Sequence, residues 1–154
     1  MRLLLICLLF SMSDALVCSP ATGTYVILTE KGVKDLGNCT TIDGNLFIHG
    51  GLQLSHNGLL PLSNLKLITG YLVIWNSQSL HCLMGLHNLD GIRGDNLYLD
   101  EYAVYIVDNY VDSHLNQSGI SNREGLCFVD TVYWEFLVWN GTVYLHNNGE
   151  ECSS

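Results

Sequence analysis

The side chains of this chain that could carry chemistry are six histidines, six cysteines and fifteen carboxylates. A metal site needs three or four such groups at short, fixed spacings, as in a His-Glu-x-x-His helix. The histidines stand at 49, 56, 81, 87, 114 and 146, with no metal-ligand spacing among them. The expectation is no metal and no cofactor. A serine hydrolase would show a Gly-x-Ser-x-Gly turn, and a nucleotide enzyme a glycine-rich phosphate loop. Neither occurs. Asp43, Asp100 and Asp108 invite comparison with β-helix enzymes that cleave polysaccharides by carboxylates, often with calcium. Those need many more repeats to form a substrate groove than 154 residues supply. The chain is expected to be non-catalytic.

The cysteines point to structure in an oxidising compartment. Arg2, the apolar run Leu3 to Phe10 and the small residues around Ser13-Asp14-Ala15 have the pattern of a secretory signal. The expected organisation is a signal peptide over 1–15 and one domain over 16–154. A buried N-terminal helix is the alternative for the apolar run. No other apolar run reaches the roughly 20 residues that span a bilayer. The expected product is secreted and extracellular, with no membrane insertion after cleavage. Cys7 would leave with the signal. Of the rest, the local pairs are Cys18 with Cys39 and Cys127 with Cys152. Each closes a loop of about twenty-odd residues, worth about 3 kcal/mol. Cys82 is left over, expected as a buried free thiol, with an intermolecular bridge as the alternative. Cleavage after Cys18 would instead pair Cys39 with Cys82. Sequons at Asn38, Asn116 and Asn140 predict glycosylated surface.

The net charge of −9 argues against nucleic acid and against anionic membranes, which need clustered lysine and arginine. Acids thicken at Asp95, Asp100, Glu101, Asp108 and Asp112. They form either a solvated edge or a surface that attracts a basic partner.

The elements that would position these groups repeat. Ile68 to Asn76, ITGYLVIWN, reads as a turn glycine, an alternating strand and a closing asparagine. Similar stretches are IDGNLFIHG from Ile42, Ile92-Arg93-Gly94 followed by YAVYIVDN from Tyr102, and a weaker GTVYLHNN from Gly141. Gly44, Gly70 and Gly94 lie 26 and then 24 residues apart. One strand per period of that length predicts a solenoid or parallel β-helix. Leu46 and Ile48 would face inward and Phe47 and His49 outward on the first strand. Val73 and Trp75 would face opposite to Leu72 and Ile74, and Tyr105 and Val107 opposite to Val104 and Ile106. Gly32 to Gly37 predicts a short helical cap. Gly50 to Asn64 reads as loop, and Leu80, Leu83, Leu86 and Leu89 as tight helical turns. Leu97 to Leu99 reads as a strand on a second sheet, Asp112 to Glu124 as loop, and Gly125 to Val129 as a further repeat. Thr131 to Val138 reads as a short helix burying Trp134 and Leu137.

In this order, IDGNLFI, LKLITGYLVIW, NLDGIRG, EYAVYIVDN and LCFVDTVYWEFL resemble the receptor L domain. That domain forms the ligand-binding lobes of the insulin receptor and epidermal growth factor receptor families. The resemblance covers about Cys18 to Cys152, with Trp134 seven residues after Cys127. It implies a mainly β, right-handed β-helix of short rungs, leucine-rich-repeat-like, with a small helical cap. It supports the pairs Cys18–Cys39 and Cys127–Cys152 and makes Trp134 a core residue. Its hormone-facing sheet would here present Phe47, His49, Val73, Trp75, Tyr98, Tyr105 and Val107. The implied partner is a secreted peptide hormone or growth factor, insulin-like or growth-factor-like, or a receptor ectodomain. Without the family's cysteine-rich region, second L domain, membrane helix and kinase, the expected role is decoy or modulator. A truncated receptor tyrosine kinase ectodomain and an extracellular adhesion module that self-associates through Cys82 are the alternatives.

Overall fold

The computed structural model describes residues 15–51, 53–113, 122–127, 129 and 132–149. In chain order these give β1 (Val17–Cys18), β2 (Thr24–Ile27), α1 (Glu30–Asp35), β3 (Thr41–Ile42) and β4 (Asn45–Ile48). Then follow β5 (Leu67–Ile68), β6 (Leu72–Trp75), β7 (Gly91–Ile92) and β8 (Tyr102–Ser113). The described chain closes with β9 (Asn122–Gly125), α2 (Trp134–Leu137) and β10 (Thr142–Asn148). The protein is mainly β. The chain alternates between two parallel sheets: a small one, β1-β3-β5-β7, and a large one, β10-β8-β6-β4-β2. Parallel neighbours need a crossover, so after each large-sheet strand the chain travels around before it pairs again.

The space inside those crossovers is the core. Leu46, Leu72 and Val104 pair in register, as do Ile48, Ile74 and Ile106, and all six are fully buried. Ile42, Ile68 and Ile92 face them from the small sheet. The third side is closed by leucines. Leu54, Leu59, Leu62 and Leu65, and then Leu80, Leu86 and Leu89, are buried around the 3-10 turns Leu60–Asn64 and Met84–Leu86. Thr29 caps α1, which buries Val33 over one end of the core. The Cys18–Cys39 disulfide ties β1 to the turn after α1, with a Cα separation of 5.8 Å. Cys127 is a disulfide cysteine. The expected Cys127–Cys152 pair falls partly outside the described residues, as does the Asn116 sequon.

Two corners hold the register. At one, Gly44, Gly70 and Gly94 stack, the Gly70 N–H donating to Gly44 O at 2.9 Å and the Gly94 N–H to Gly70 O at 3.2 Å. A Cβ on Gly70 would lie 1.8 Å from Asn45 Oδ1, so only glycine fits. At the other corner, Asn76, Asp108 and Asn147 have positive φ of 48°, 57° and 49°. Residues with short polar side chains tolerate this conformation. The next residue along is Ser77, Asn109 or Asn148. Asn109 is fully buried. Its Nδ2 donates to Ile74 O at 2.9 Å and Asn148 Oδ1 at 3.0 Å, and its Oδ1 accepts from the Ser77 N–H at 2.8 Å.

Several expectations are corrected. Leu97 to Leu99 is not a strand; only Tyr98 bridges to Tyr102, and the small-sheet strand of that repeat is β7. Asp112 to Glu124 is not all loop, because β8 runs to Ser113 and pairs antiparallel with β9. Gly125 ends β9 rather than opening a strand of the large sheet. Gly50 to Asn64 holds a 3-10 turn, Leu60–Asn64, in which Leu62 is buried and Leu60 is exposed.

Removing the Asn109 amide leaves a buried N–H and a buried carbonyl unpaired. Asn109→Ala should therefore cost about 2–4 kcal/mol in urea unfolding. Asn148→Ala, at the half-buried edge, should cost well under half of that.

Candidate ligand-binding face

Strand alternation sends every second side chain of the large sheet away from the core. Parallel pairing then lines those outward residues up. Val26, Phe47, Val73, Tyr105 and Tyr144 form one ladder in register across all five strands. Trp75, Val107 and His146 form a second, and His49 joins it by stacking on Trp75 at 4.9 Å. His49 Nδ1 also lies 3.0 Å from Trp75 O, which fixes the imidazole against the sheet.

The rings are packed with one another. Tyr98 comes from the turn before β8, and its ring centre lies 6.0 Å from Phe47, 5.6 Å from Tyr71 and 5.0 Å from Tyr105. Tyr102, Tyr105 and Tyr144 form a triangle with sides of 5.3, 5.4 and 5.3 Å. Such separations are in the favourable range for aromatic pairs. Burial pushes the hydroxyls of Tyr102 and Tyr105 up from the ordinary tyrosine value. The Glu101 carboxylate adds to this at Tyr102, and Tyr98, Tyr144 and Asp108 add to it at Tyr105. Tyr102 and Tyr105 are therefore neutral phenols at physiological pH.

The structure brings Phe47, His49, Trp75, Tyr98 and Tyr105 together on this surface. Val73 and Val107 do not reach it: both are buried. Val73 lies in register between Phe47 and Tyr105, whose rings both meet Tyr98, so the short side chain sits beneath them. Val107 lies between Trp75 and His146 in the same way. Residues not anticipated on the face are Tyr71, Tyr102, Tyr144 and His146. Within this face, Trp75 and Tyr144 are the large rings most open to solvent, at 41% and 38%. Tyr144 occupies the same outward position in GTVYLHNN as Tyr105 in YAVYIVDN, and alternation alone would have found it.

A second recess, of about 780 Å3, lies between the Met84–Leu86 turn and α2, lined by Cys82, Met84, Leu86, Trp134, Phe136 and Leu137. Trp134 is buried there, its Nε1 donating to Val129 O at 2.8 Å. Cys82 is a free thiol but half-buried rather than fully buried, with Sγ 3.0 Å from Asn57 Oδ1. Beside it the His56 and His81 rings stack at 3.7 Å. Among the described residues no three histidine, cysteine or carboxylate side chains gather as metal ligands. Nor is any described helix long and apolar enough to cross a membrane.

Comparison with known proteins decides the family. The family model "Receptor L domain" matches residues 38–154. The chain belongs to the receptor L domain family. It is 33% identical over 117 residues to the insulin receptor-related protein of Mus musculus, covering 74% of this chain. It is 32% identical over 120 residues to the receptor tyrosine-protein kinase erbB-4 of Homo sapiens, covering 67% of this chain. To the insulin receptor of Xenopus laevis it is 27% identical over 140 residues, covering 90% of this chain. Each match spans 9% of the relative's own length. Receptor L domains are ligand-binding, non-catalytic modules.

Burial and the neighbouring His56 lower the His81 pKa from its ordinary value, and Glu124 opposes them. The unfolded chain therefore binds the proton more readily than the folded one. The contribution is complete above the unfolded value of about 6.5 and is lost as pH falls through and below it. The melting temperature of the native protein should drop more between about pH 7.5 and about pH 5 than that of His81→Asn. Equal drops would show that His81 does not govern this loss.

Proposed function

We propose that this chain is a secreted, extracellular binding module that takes an insulin-like or growth-factor-like peptide, or a receptor of that kind, on its aromatic sheet face. The observation that carries the reading is the contiguous ring surface from Phe47 through Tyr98 and Tyr105 to Tyr144, flanked by the His49–Trp75 stack. Exposed apolar and aromatic surface of this extent marks interaction sites, and tyrosine and tryptophan are the residue types that most often dominate binding energy. The names of the relatives, an insulin receptor and erbB receptor kinases among them, agree with a peptide ligand. A surface of a few strands buries about 600–800 Å2 per partner, which suits modest affinity.

In this reading the alternating parallel strands wind as a right-handed β-helix, and residues 1–15 direct export and are removed. Export is supported by the Cys18–Cys39 disulfide, since such bonds persist outside the reducing cytosol. Glycans sit at Asn38, Asn116 and Asn140. Asn38 is exposed. Asn140 donates one amide hydrogen to Gly94 O at 2.9 Å, and a glycan replaces the other.

Released by itself, such a module sequesters ligand and acts as decoy or modulator. The observation favouring a second role, as one lobe of a longer receptor, is that the matched relatives are about ten times the length of the matched segment. The reading frame beyond Ser154 separates the two: an open frame into a cysteine-rich region supports the receptor, and a stop supports the short form.

Purified protein should bind at least one member of a panel of insulin-like and growth-factor-like peptides in a direct assay. Trp75→Ala combined with Tyr144→Ala should weaken that binding at least tenfold, about 1.4 kcal/mol or more. Tyr133→Ala, in the second recess, should leave it unchanged. Retained binding in the double variant, with native circular dichroism, would remove the function from this face.

A further inference from the structure

The five parallel strands of the large sheet, β2, β4, β6, β8 and β10, contain no lysine and no arginine; the sixth strand, β9, paired antiparallel to the end of β8, carries Arg123. Among the described residues the other cations lie elsewhere. Lys31 and Lys34 are on α1 beside Asp35 and Glu30. Lys66 precedes β5 in the small sheet. Arg93 is held by Asp95 at 2.9 Å.

Carboxylates, by contrast, reach the ring cluster. Glu101 immediately precedes Tyr102 and β8, is exposed, and lies beside β10, its carbonyl accepting from the Thr142 N–H at 3.0 Å. Asp108 follows Tyr105 by three residues on β8, and its carboxylate accepts from Asn147 Nδ2 at 3.0 Å just beyond the Tyr105–Tyr144 pair. The two acids thus bracket Tyr102 and Tyr105 along β8. Asp100 is exposed in the adjoining turn. The ring faces add negative potential of the same sign, because an aromatic quadrupole attracts cations to its face. An acidic ligand would meet like charge here, at a cost that excludes it.

Resting on the reading of the aromatic face as the binding surface, we infer that the partner's contact segment is basic as well as apolar. An arginine or lysine side chain lies on the Tyr102–Tyr105–Tyr144 triangle between Glu101 and Asp108. Apolar side chains of the same segment cover Phe47, Trp75 and Tyr98. Arginine suits the triangle better than lysine, because its planar guanidinium can stack on a ring and still hydrogen-bond a carboxylate.

Two synthetic hexapeptides test this, identical in apolar residues, acetylated and amidated at their ends, one with two arginines and one with two glutamates in their place. Their affinities are measured by amide shift titration of the labelled protein at about 20 mM and about 300 mM salt. The arginine peptide should bind at least tenfold more tightly at low salt, and the advantage should shrink at high salt. Glu101→Gln with Asp108→Asn should bring the two peptides to within about twofold, with shifts around Trp75 retained. Asparagine keeps the positive φ at position 108 and can still accept from Asn147 Nδ2, so the variant should fold. Equal binding of both peptides, lost in Trp75→Ala, overturns the charge selection and leaves the face as the binding surface. An arginine preference that survives the double variant also overturns it. Binding of neither peptide, or binding unaffected by Trp75→Ala, overturns both the selection and the face.

Discussion

The buried amide of Asn109 holds together the corner on which the large sheet depends. A parallel sheet made by one chain must leave every strand at the same height, and at that point the backbone loses its ladder partners. Here Asn76, Asp108 and Asn147 turn through positive φ at stacked positions, and the next residue supplies the missing hydrogen bonds. Asn109 closes two of them, to the Ser77 N–H and Ile74 O, and bonds the Asn148 side-chain oxygen as well. Its burial makes each bond hard to replace, since no water reaches the groups if they are left open. The consequence is register. A slip of one residue in any strand would reverse its faces. Phe47, Trp75 and Tyr105 would then turn inward and Leu46, Ile74 and Val104 outward. The aromatic face exists because the corner permits one alignment.

The outer rings do not float on that sheet. The turn before β8 places Leu99 and Asp100 at positive φ of 52° and 59°, a conformation that non-glycine residues seldom adopt. Reciprocal hydrogen bonds close this turn, the Tyr98 N–H to Tyr102 O at 2.8 Å and the Tyr102 N–H to Tyr98 O at 2.9 Å. The turn lays the Tyr98 ring back across Val73, between Phe47 and Tyr105. A strained connection is thereby offset by ring packing over a valine that would otherwise be bare. Leu99 itself stays exposed, so the turn serves Tyr98 and not burial of its own leucine.

Alternation in LFIH, LVIW and YAVYIV made the inner and outer faces readable before any coordinates, along with Phe47, His49, Trp75 and Tyr105. It could not show that Val73 and Val107 are covered. Burial on an outer face depends on side chains about 26–32 residues away in the chain, and on a turn residue from outside the strand. The small sheet was poorly readable for another reason: two-residue strands such as Gly91–Ile92 are too short to show a period. Leu97 to Leu99 shows the apolar pattern that Gly91–Ile92 lacks, yet contributes only the Tyr98 bridge. The hairpin of β8 with β9 carries little sequence signal, because only Tyr110 and Val111 of its eight paired residues are large and apolar and they do not alternate. The apolar sequence neighbours of Cys82 imply full burial, whereas its half-buried thiol sits against Asn57 and lines a recess.

If the aromatic face is the binding surface proposed above, it has little area to spend, and its affinity would depend on how much ordering it avoids. Tyrosine and tryptophan offer large contact area with only two side-chain torsions. Here even those are largely settled beforehand, because each ring of the triangle leans on the other two and His49 is stacked on Trp75. A partner then meets a surface that loses little further freedom on contact, which removes one of the main costs of association. The bracketing carboxylates act differently. Exposed charges contribute little to the strength of a formed complex but raise the encounter rate and reject partners of the wrong sign. Rings and acids on β8 thus divide the work: the first supply area at low entropic cost, the second decide which surfaces arrive and in which orientation. A few strands can serve as a selective binding surface only if both operate on the same residues, and in the proposed reading Glu101 next to Tyr102 and Asp108 three residues beyond Tyr105 would put them there.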